Sequence, residues 1–509
     1  MLPVFNFAIK KFMNQRMDTI HAFMENPIPV QEELLKQLLK DASKTAWGEK
    51  YGYKNILSPN QFSKDVPVST YETFYPWIER CLKGEQQILW HSNIEWFSKS
   101  SGTTNAKSKF IPVSSESLKE CHYKGGKDLL TMYFDNVPTS KLFEGKSLAV
   151  GGSCSPNPFR NDSQIGDISA VIMANLPTWA QYARTPSIQT ALMNEWEEKI
   201  DKLATETAVE NVSNLSGVPT WAVLLLEYIL EKNGKKNMLE IWPNFECFFH
   251  GAVSFHPYQC VFKKFFPSDQ VHYMETYNAS EGFFGVQDDL SRDDLLLLLD
   301  HGIYYEFIPI DELDAEFPKA IPLSDVQLNE SYALVISTNS GLWRYNVGDV
   351  VRITSMVPYR IKITGRTKHY INVFGEELVV ENAEMAIAKA CEHTDAVLAN
   401  FTAAPIFFNE QNKGGHEWII EFITRPSDQN QFTILLDGFL QELNSDYEAK
   451  RYKDMALLLP TVHYVKEGTF YTWLKLKGKL GGQHKVPRLS NTREYVEEIL
   501  EKCLLGERD

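Results

Sequence analysis

Three short stretches, far apart along the chain, concentrate the residue types that handle phosphate, base and sugar. In the first, Ser100-Ser101-Gly102-Thr103-Thr104-Asn105-Ala106-Lys107-Ser108-Lys109, hydroxyls crowd around one glycine and two lysines. Hydroxyl and backbone N–H groups donate to phosphate oxygens, glycine permits close approach, and lysine neutralises charge. It is not a Walker A loop, because counting from Gly102 puts Lys107 where that pattern needs its second glycine. A solvated turn is the plainer alternative. The second is Thr276-Tyr277-Asn278-Ala279-Ser280-Glu281-Gly282. Its ring can stack on a flat base, its hydroxyl can touch a phosphate, and its carboxylate can hold Mg²⁺ through oxygen. The third, Leu342-Trp343-Arg344-Tyr345-Asn346-Val347-Gly348-Asp349, ends in a carboxylate that can accept both hydroxyls of a ribose, or cap a turn.

Other chemistries fail on inspection. Gly151-Gly152-Ser153-Cys154-Ser155 lacks the last glycine of a nucleophile elbow. The histidines form no H-E-x-x-H pair, which argues against a protein-held zinc, and no G-x-G-x-x-G marks a dinucleotide fold. The seven cysteines, Cys81, Cys121, Cys154, Cys247, Cys260, Cys391 and Cys503, are odd in number and form no C-x-x-C, as expected of reduced intracellular thiols used as core filler.

These stretches need a scaffold. The chain has 509 residues, more than one compact unit of about 100–200, so at least two domains are expected. An apolar share of 43% is ordinary globular composition. The net charge of −15 has the wrong sign for broad binding to nucleic acid or an anionic membrane. No apolar run approaches the roughly 20 residues of a membrane span. Residues 1–12 have no basic start and are interrupted by Lys10-Lys11, so a short surface helix is expected there and not a signal peptide. A soluble cytoplasmic protein follows.

Leu34, Leu35, Leu38, Leu39 and Ala42 form one stripe of a helix over 31–44. Residues 45–90 read as helices and loops, and a short strand at 94–97 feeds the first loop. Helices are expected at 189–205 and 219–231, and strands at 295–299, 303–310 and 332–338. From Val350 the pattern shortens into small β-elements that reach a turn at Gly365-Arg366. Strand–helix alternation then restarts: 370–374, helix 380–391, strand 418–423, helix 432–452. The expectation is an α/β chain with a large first domain, 1–366, and a smaller second one, 367–509.

The order and wording of the motifs say more than each alone. A Ser/Thr/Gly loop ending in Lys, a Tyr-x-x-Ser-Glu, a Gly-Asp and a Gly-Arg hinge resemble the adenylate-forming, acyl-activating superfamily. Ser-Ser-Gly-Thr-Thr at 100–104, Thr-Tyr-x-x-Ser-Glu-Gly at 276–282 and Trp-Arg-Tyr-x-Val-Gly-Asp at 343–349 are similar to the nucleotide motifs of its acyl-acid-amido synthetases, the auxin-responsive Gretchen Hagen family. The likeness includes Val66-Pro67-Val68-Ser69-Thr70-Tyr71-Glu72, Ile241-Trp242-Pro243-Asn244, Glu467-Gly468-Thr469-Phe470 and His484-Lys485-Val486-Pro487-Arg488. Two departures stand out: Ala106, where the loop usually has a glycine, and Asn346, where the third motif often has a basic residue.

The resemblance implies a large ATP- and acyl-binding α/β domain with a smaller, mobile C-terminal α/β lid. It implies that Ser100, Ser101, Gly102, Thr103 and Thr104 with Lys109 cradle the ATP phosphates and that Tyr277 lies against adenine. Ser280 would approach the α-phosphate, Glu281 would hold Mg²⁺, and Asp349 would grip the ribose. Gly365-Arg366-Thr367-Lys368 would form the hinge that carries Lys485 into the site. Catalytic roles fall to Lys485, Ser101 and Lys109, and nucleotide contact extends to Arg366. The acid's pocket is expected in the large domain, with Tyr123, Phe134, Phe159, Trp179 and Tyr182 as its wall or as plain core. The implied reaction joins a carboxylic acid to an amino acid through an acyl-adenylate, using ATP and Mg²⁺, in a protein expected to be a monomer. An acyl-CoA synthetase and an idle nucleotide-binding homologue are the rival readings.

Overall fold

The computed structural model describes residues 15–100, 109–193, 196–252, 255, 258–313, 315, 317–367, 370–407, 413–454, 456–477, 486 and 488–501. They divide into two compact units. The larger comprises residues up to 100, 109–252 and 262–367; the smaller comprises residues 255, 258–261 and those from 370 onward.

Local signals account for the first helices. α1 (Pro27–Ala42) starts at a proline and buries Leu35, Leu38, Leu39 and Ala42 as one stripe. Gln31 on that stripe is buried but satisfied, donating to the carbonyls of Leu299 and Ile303 at 2.7 and 2.9 Å. α2 (Tyr71–Leu82) begins at a capping box in which Thr70 and Thr73 bond each other's backbone. Beyond it lie α3 (Lys124–Asn136), α4 (Ile168–Ala174), α5 (Trp196–Ala208) and α6 (Pro219–Asn233). The helix expected over 189–205 is instead a short turn, Ile188–Ala191, followed by α5.

The strands of the larger unit begin with β1 (Trp96–Ser100), β2 (Lys109–Val113), β3 (Lys146–Ala149), β4 (Cys154–Pro156), β5 (Gln164–Gly166), β6 (Arg184–Thr185), β7 (Val212–Gly217) and β8 (Cys247–Gly251). They continue with β9 (His272–Ala279), β10 (Gly282–Val286), β11 (Leu295–Leu297), β12 (Ile303–Pro309), β13 (Ile321–Pro322), β14 (Ser331–Thr338), β15 (Tyr345–Met356) and β16 (Tyr359–Arg366). Four make a small sheet, β2-β1-β5-β4, and twelve make a large one, β13-β12-β14-β15-β16-β11-β10-β9-β8-β7-β3-β6. The run from β9 to β6 is parallel, as crossover connections require, and the remainder is antiparallel. Pairing of Ala149 with Ser216, Gly217 with His250 and Gly251 with Thr276 brings the carboxyl ends of β3, β7 and β8 level with the Thr276-Tyr277 stretch of β9. Open α/β sheets bind ligands at that end. The small β-elements expected after Val350 are one long hairpin, β15–β16, whose alternating burial marks a sheet covered on one face.

In the smaller unit β17 (Tyr370–Ile371) and β18 (Leu378–Val379) form a hairpin, and β19 (Val397–Ile406), β20 (Gly415–Thr424) and β21 (Thr461–Val465) form a sheet. α7 (Val380–His393) and α8 (Gln429–Leu443) pack on one face against Trp418 and Ile420. On the other face α9 (Thr469–Leu476) covers Ile419 with Phe470 and Trp473. Glu421 shares that face and accepts from the N–H groups of Gly468 and Phe470 at 2.9 and 3.0 Å, so it holds the start of α9. The Glu-Gly-Thr-Phe wording is therefore a helix start, with Gly468 at φ +87°. The single helix expected over 432–452 breaks at Asn444, which is extended and caps the next helix through Tyr447 N–H at 2.8 Å.

Candidate active site

The second motif forms the tip of the β9–β10 hairpin. Ala279 pairs with Gly282, leaving Ser280 and Glu281 as the turn. Ser98 of β1 is fully buried and donates to Ser280 Oγ at 2.9 Å, tying the turn to the strand that feeds the first loop. Three residues back, the Tyr277 hydroxyl donates to the Asp349 carboxylate, and both side chains are 6% exposed. The second and third motifs thus meet through a charge-assisted hydrogen bond between residues 72 positions apart. Glu275 stands on the same strand face as Tyr277, and burial pushes its carboxyl up to about 7.

Asp349 is aimed by the turn before it. Gly348 sits at φ +92°, its N–H is held by Asn346 Oδ1 at 2.9 Å, and its carbonyl accepts from Thr367 N–H at 2.8 Å. Asn346 thus works as a turn brace, a role no basic side chain could fill by accepting. Arg366 pairs with Asp349 across β15–β16. Arg344 turns inward instead. Its guanidinium meets Glu306 of β12 at 2.8 Å twice and donates to the carbonyls of Ser63 and Val66 at 2.7 and 2.6 Å. The backbone of Ser69 bonds Arg344 and Asn346 at 2.8 Å each, so the Val-Pro-Val-Ser stretch braces the third motif.

Behind the hairpin runs a helix whose first part, Leu118–Tyr123, is a six-residue π-helix continuing into α3. Such turns are frequent at functional sites. Cys121 Sγ accepts from Phe283 N–H at 3.2 Å, and the His122 ring bonds Asn278 Oδ1 at 3.1 Å. Burial pushes the His122 imidazole down to about 4, so it is neutral at pH 7. Gly125 completes the contact: a Cβ there would lie 2.5 Å from the Phe283 ring, whereas the neighbouring Gly126 faces open space. Gly125→Ala should therefore lose about 1–3 kcal/mol through overpacking. Gly126→Ala should gain up to about 1 kcal/mol through helix propensity. Urea midpoints of the two variants would move in opposite directions; equal shifts would mean that the helix does not press on the hairpin.

Ser101, Gly102, Thr103, Thr104 and Lys485 lie outside the described residues, as do Lys368, residues 1–12 and the side chains of Ser100, Trp179 and Arg366. Ser100 ends β1 opposite Lys109, whose ammonium lies 5.5 Å from the centre of the Tyr71 ring. Glu281 is half-buried at the turn. Tyr123 packs with Val113, Leu118 and Val171, and its hydroxyl donates to the Ile172 carbonyl at 3.3 Å. Phe134 is core. Phe159 is 48% exposed on a turn, and Tyr182, in the short 3-10 helix Thr178–Ala183, is 81% exposed and lines a surface groove.

Sequence reasoning missed Ser98, Cys121, His122, Glu275 and Glu306. Only Glu306 carried a signal, as a lone acid inside an apolar strand that had to have a cationic partner. A further cluster, Asp128, Asp300 and His301, has ligand atoms within 4.8 Å of one another. Arg16 bonds both carboxylates at 2.8–3.0 Å and Lys124 reaches Asp300 at 3.0 Å, so protein cations fill it and fasten the helical residues 15–25.

Comparison with known proteins extends the likeness to the whole chain. It is 22% identical to the 4-substituted benzoates-glutamate ligase GH3.12 of Arabidopsis thaliana, with 99% of each chain covered. It is 23% identical to the indole-3-acetic acid-amido synthetase GH3.4 of the same plant, over 92% of this chain and 90% of the other. The fold matches the GH3.15 acyl acid amido synthetase with a TM-score of 0.61 and 18% identity, covering 96% and 95% of the two chains. It also matches 2-hydroxyisobutyryl-CoA ligase, solved with 2-HIB-AMP and CoA, with a TM-score of 0.58 and 13% identity over 95% and 93%. Among the described residues no helix is long and apolar enough to cross a membrane. The GH3 family N-terminal domain matches residues 16–271, its central domain 296–366 and its C-terminal domain 381–494. Since these domains account for β1–β8, the β15–β16 ladder and the sheet of the smaller unit in the same chain order, and the first alone spans half of the chain, the protein belongs to the GH3 family.

Proposed function

We propose that this GH3 enzyme activates a carboxylic acid as its acyl-adenylate and passes the acyl group to the amine of an amino acid, releasing pyrophosphate and AMP. The observation that supports the reading best is the Tyr277–Asp349 bond, which joins a base-stacking ring and a ribose-gripping carboxylate beside the Ser280 turn. A free carboxylate resists amines because its carbon is electron-rich and its oxygen leaves poorly. Attack of that carboxylate on the α-phosphorus, with departure of pyrophosphate, gives a mixed anhydride whose carbon an amine can attack.

The chain's own part is positioning and charge placement. Asp349 accepts from the ribose hydroxyls, Tyr277 covers the adenine, and Ser280 donates toward the α-phosphate. Ser100, Ser101, Gly102, Thr103, Thr104 and Lys109 surround the outer phosphates, and Lys485 and Arg366 complete the donor set. Glu281, a half-buried carboxylate on the turn beside Ser280, fits an oxygen-seeking divalent cation; Mg²⁺ held there would supply neutralisation of phosphate charge. In this assignment residues 1–366 bind ATP and the acid, residues 367–509 act as the lid, and the monomer works in the cytoplasm, where ATP and amino acids are at hand.

The test is acid-dependent ATP–pyrophosphate exchange over a broad acid panel, followed by AMP release with each amino acid. Exchange with amide formation is expected. Thioester formation with coenzyme A in place of amide would redirect the acceptor assignment, and nucleotide binding with no exchange for any acid would sink the reading.

A further inference from the structure

Apart from Arg184, the buried arginines among the described residues of the larger unit have acids opposite them, Arg16 with Asp128 and Asp300 and Arg344 with Glu306, as does the half-buried Arg360 with Asp288. Arg184, the first residue of β6, breaks that pattern. It is 8% exposed, its Nη2 has only the Met173 thioether of α4 at 2.9 Å, and its Nη1 is buried with no partner. A thioether accepts hydrogen bonds weakly. Burial pushes the guanidinium pKa down, and no neighbouring charge opposes it. A second buried cation occupies the same corner. A Cβ on Gly151 would collide with the Met173 methyl, and the Gly151 and Gly152 carbonyls accept from Lys199 Nζ at 2.5 and 3.1 Å. The acid acting on Lys199 is Asp167, which already accepts from Ser153 N–H at 2.8 Å. Lys146, paired with Glu210, and Glu206 also stand beside this corner, so the charges balance in number, but Lys199 and Lys146 each have an acid acting on them and Arg184 does not.

A groove of about 720 Å³ runs past Arg184, lined also by Gln181, Thr185, Ser187, Gln189 and Glu206. We propose that Arg184 anchors a separate carboxylate-binding site on this groove. A planar guanidinium with unused donors matches a carboxylate bidentately. The Glu206 and Glu210 carboxylates in the groove wall disfavour a phosphate dianion and tolerate a single negative charge. Four strand spacings, roughly 19 Å, separate β6 from β9, so the carboxylate held here is not the one activated beside Ser280. It belongs either to the far end of an extended acid or to a separate effector acid. The site does not depend on the adenylation reading, because its first test is direct binding.

Sodium butyrate, with neutral butyramide as control, would be titrated by calorimetry into the full-length protein and into Arg184→Gln. Butyrate should bind the native protein at millimolar concentration, at least about tenfold more weakly in Arg184→Gln, and butyramide should bind neither. Arg184→Met should melt higher than the native protein without added acid, since an unpaired buried charge has been removed. Equal butyrate binding by both proteins, no binding by either, tighter binding of inorganic phosphate, or a lower melt for Arg184→Met would overturn the proposal. Exchange kinetics then separate the sources. A rise in KM confined to acids with a terminal carboxylate identifies the substrate's tail, and butyrate binding that persists under a saturating acid identifies an effector. Loss of exchange with every acid would count against the adenylation reading alone.

Discussion

Asp349→Ala is expected to lower acid-dependent ATP–pyrophosphate exchange by about 10²–10³-fold, the usual effect of removing one preorganised polar group from a reacting site. Asp349 is 6% exposed and receives the Tyr277 hydroxyl, so its loss removes the ribose acceptor and also deletes a buried charge-assisted hydrogen bond. The second consequence costs about 1–3 kcal/mol of stability, and a thermal melt beside the kinetics separates the two. Tyr277→Phe is the control. It deletes the same hydrogen bond but keeps the ring and the carboxylate, so exchange should fall far less than in Asp349→Ala. If ribose contact dominates, KM for ATP should rise in Asp349→Ala whatever acid is used. Native exchange rates in a folded Asp349→Ala would mean that the Gly-Asp turn merely braces β15.

The stretches that make up the candidate site could be picked out because each is local in the sequence. Gly-Asp reads as a carboxylate that can cap a turn, and Gly348 does sit in a turn at φ +92°, whereas the β9–β10 hairpin around Ser280-Glu281 had no reading in the sequence. Strand order was not legible, since nothing local says that β15 and β16 lie between β14 and β11. Element breaks depend on single residues: Asn444 divides two helices because its side chain offers a better cap than helix continuation. Aromatic character likewise does not reveal whether a layer lies opposite, and so Phe134 and Phe159, similar in sequence, end in the core and at the surface. Buried polar pairs are legible only as halves. Glu306 and Arg344 each look misplaced in an apolar run, and only the β12–β14–β15 order joins them.

That pair should carry the largest stability effect in the protein. Arg344→Met leaves the Glu306 carboxylate 2% exposed with no counter-charge, and orphans the Ser63 and Val66 carbonyls that the guanidinium now satisfies. Breaking a buried pair from one side costs about 3–5 kcal/mol. Arg344 is also held at φ +44°, an uncommon angle for a side-chain-bearing residue, so the pair maintains the backbone that precedes the Gly-Asp turn. Burial raises the Glu306 pKa and Arg344 opposes it. Without Arg344 the folded-state pKa would rise further above its unfolded value, so folding would take up a proton. Stability then falls as pH rises through the interval between the two values. The deficit of Arg344→Met should accordingly be smaller at pH 5 than at pH 8, measured as urea midpoints. Adding Glu306→Leu removes the stranded charge and should recover more than half of the loss, with little remaining pH dependence, because apolar replacements of buried pairs are often neutral. A double variant no more stable than Arg344→Met, or a deficit that grows toward pH 5, would show that the carbonyl contacts and the backbone angle matter more than the charge.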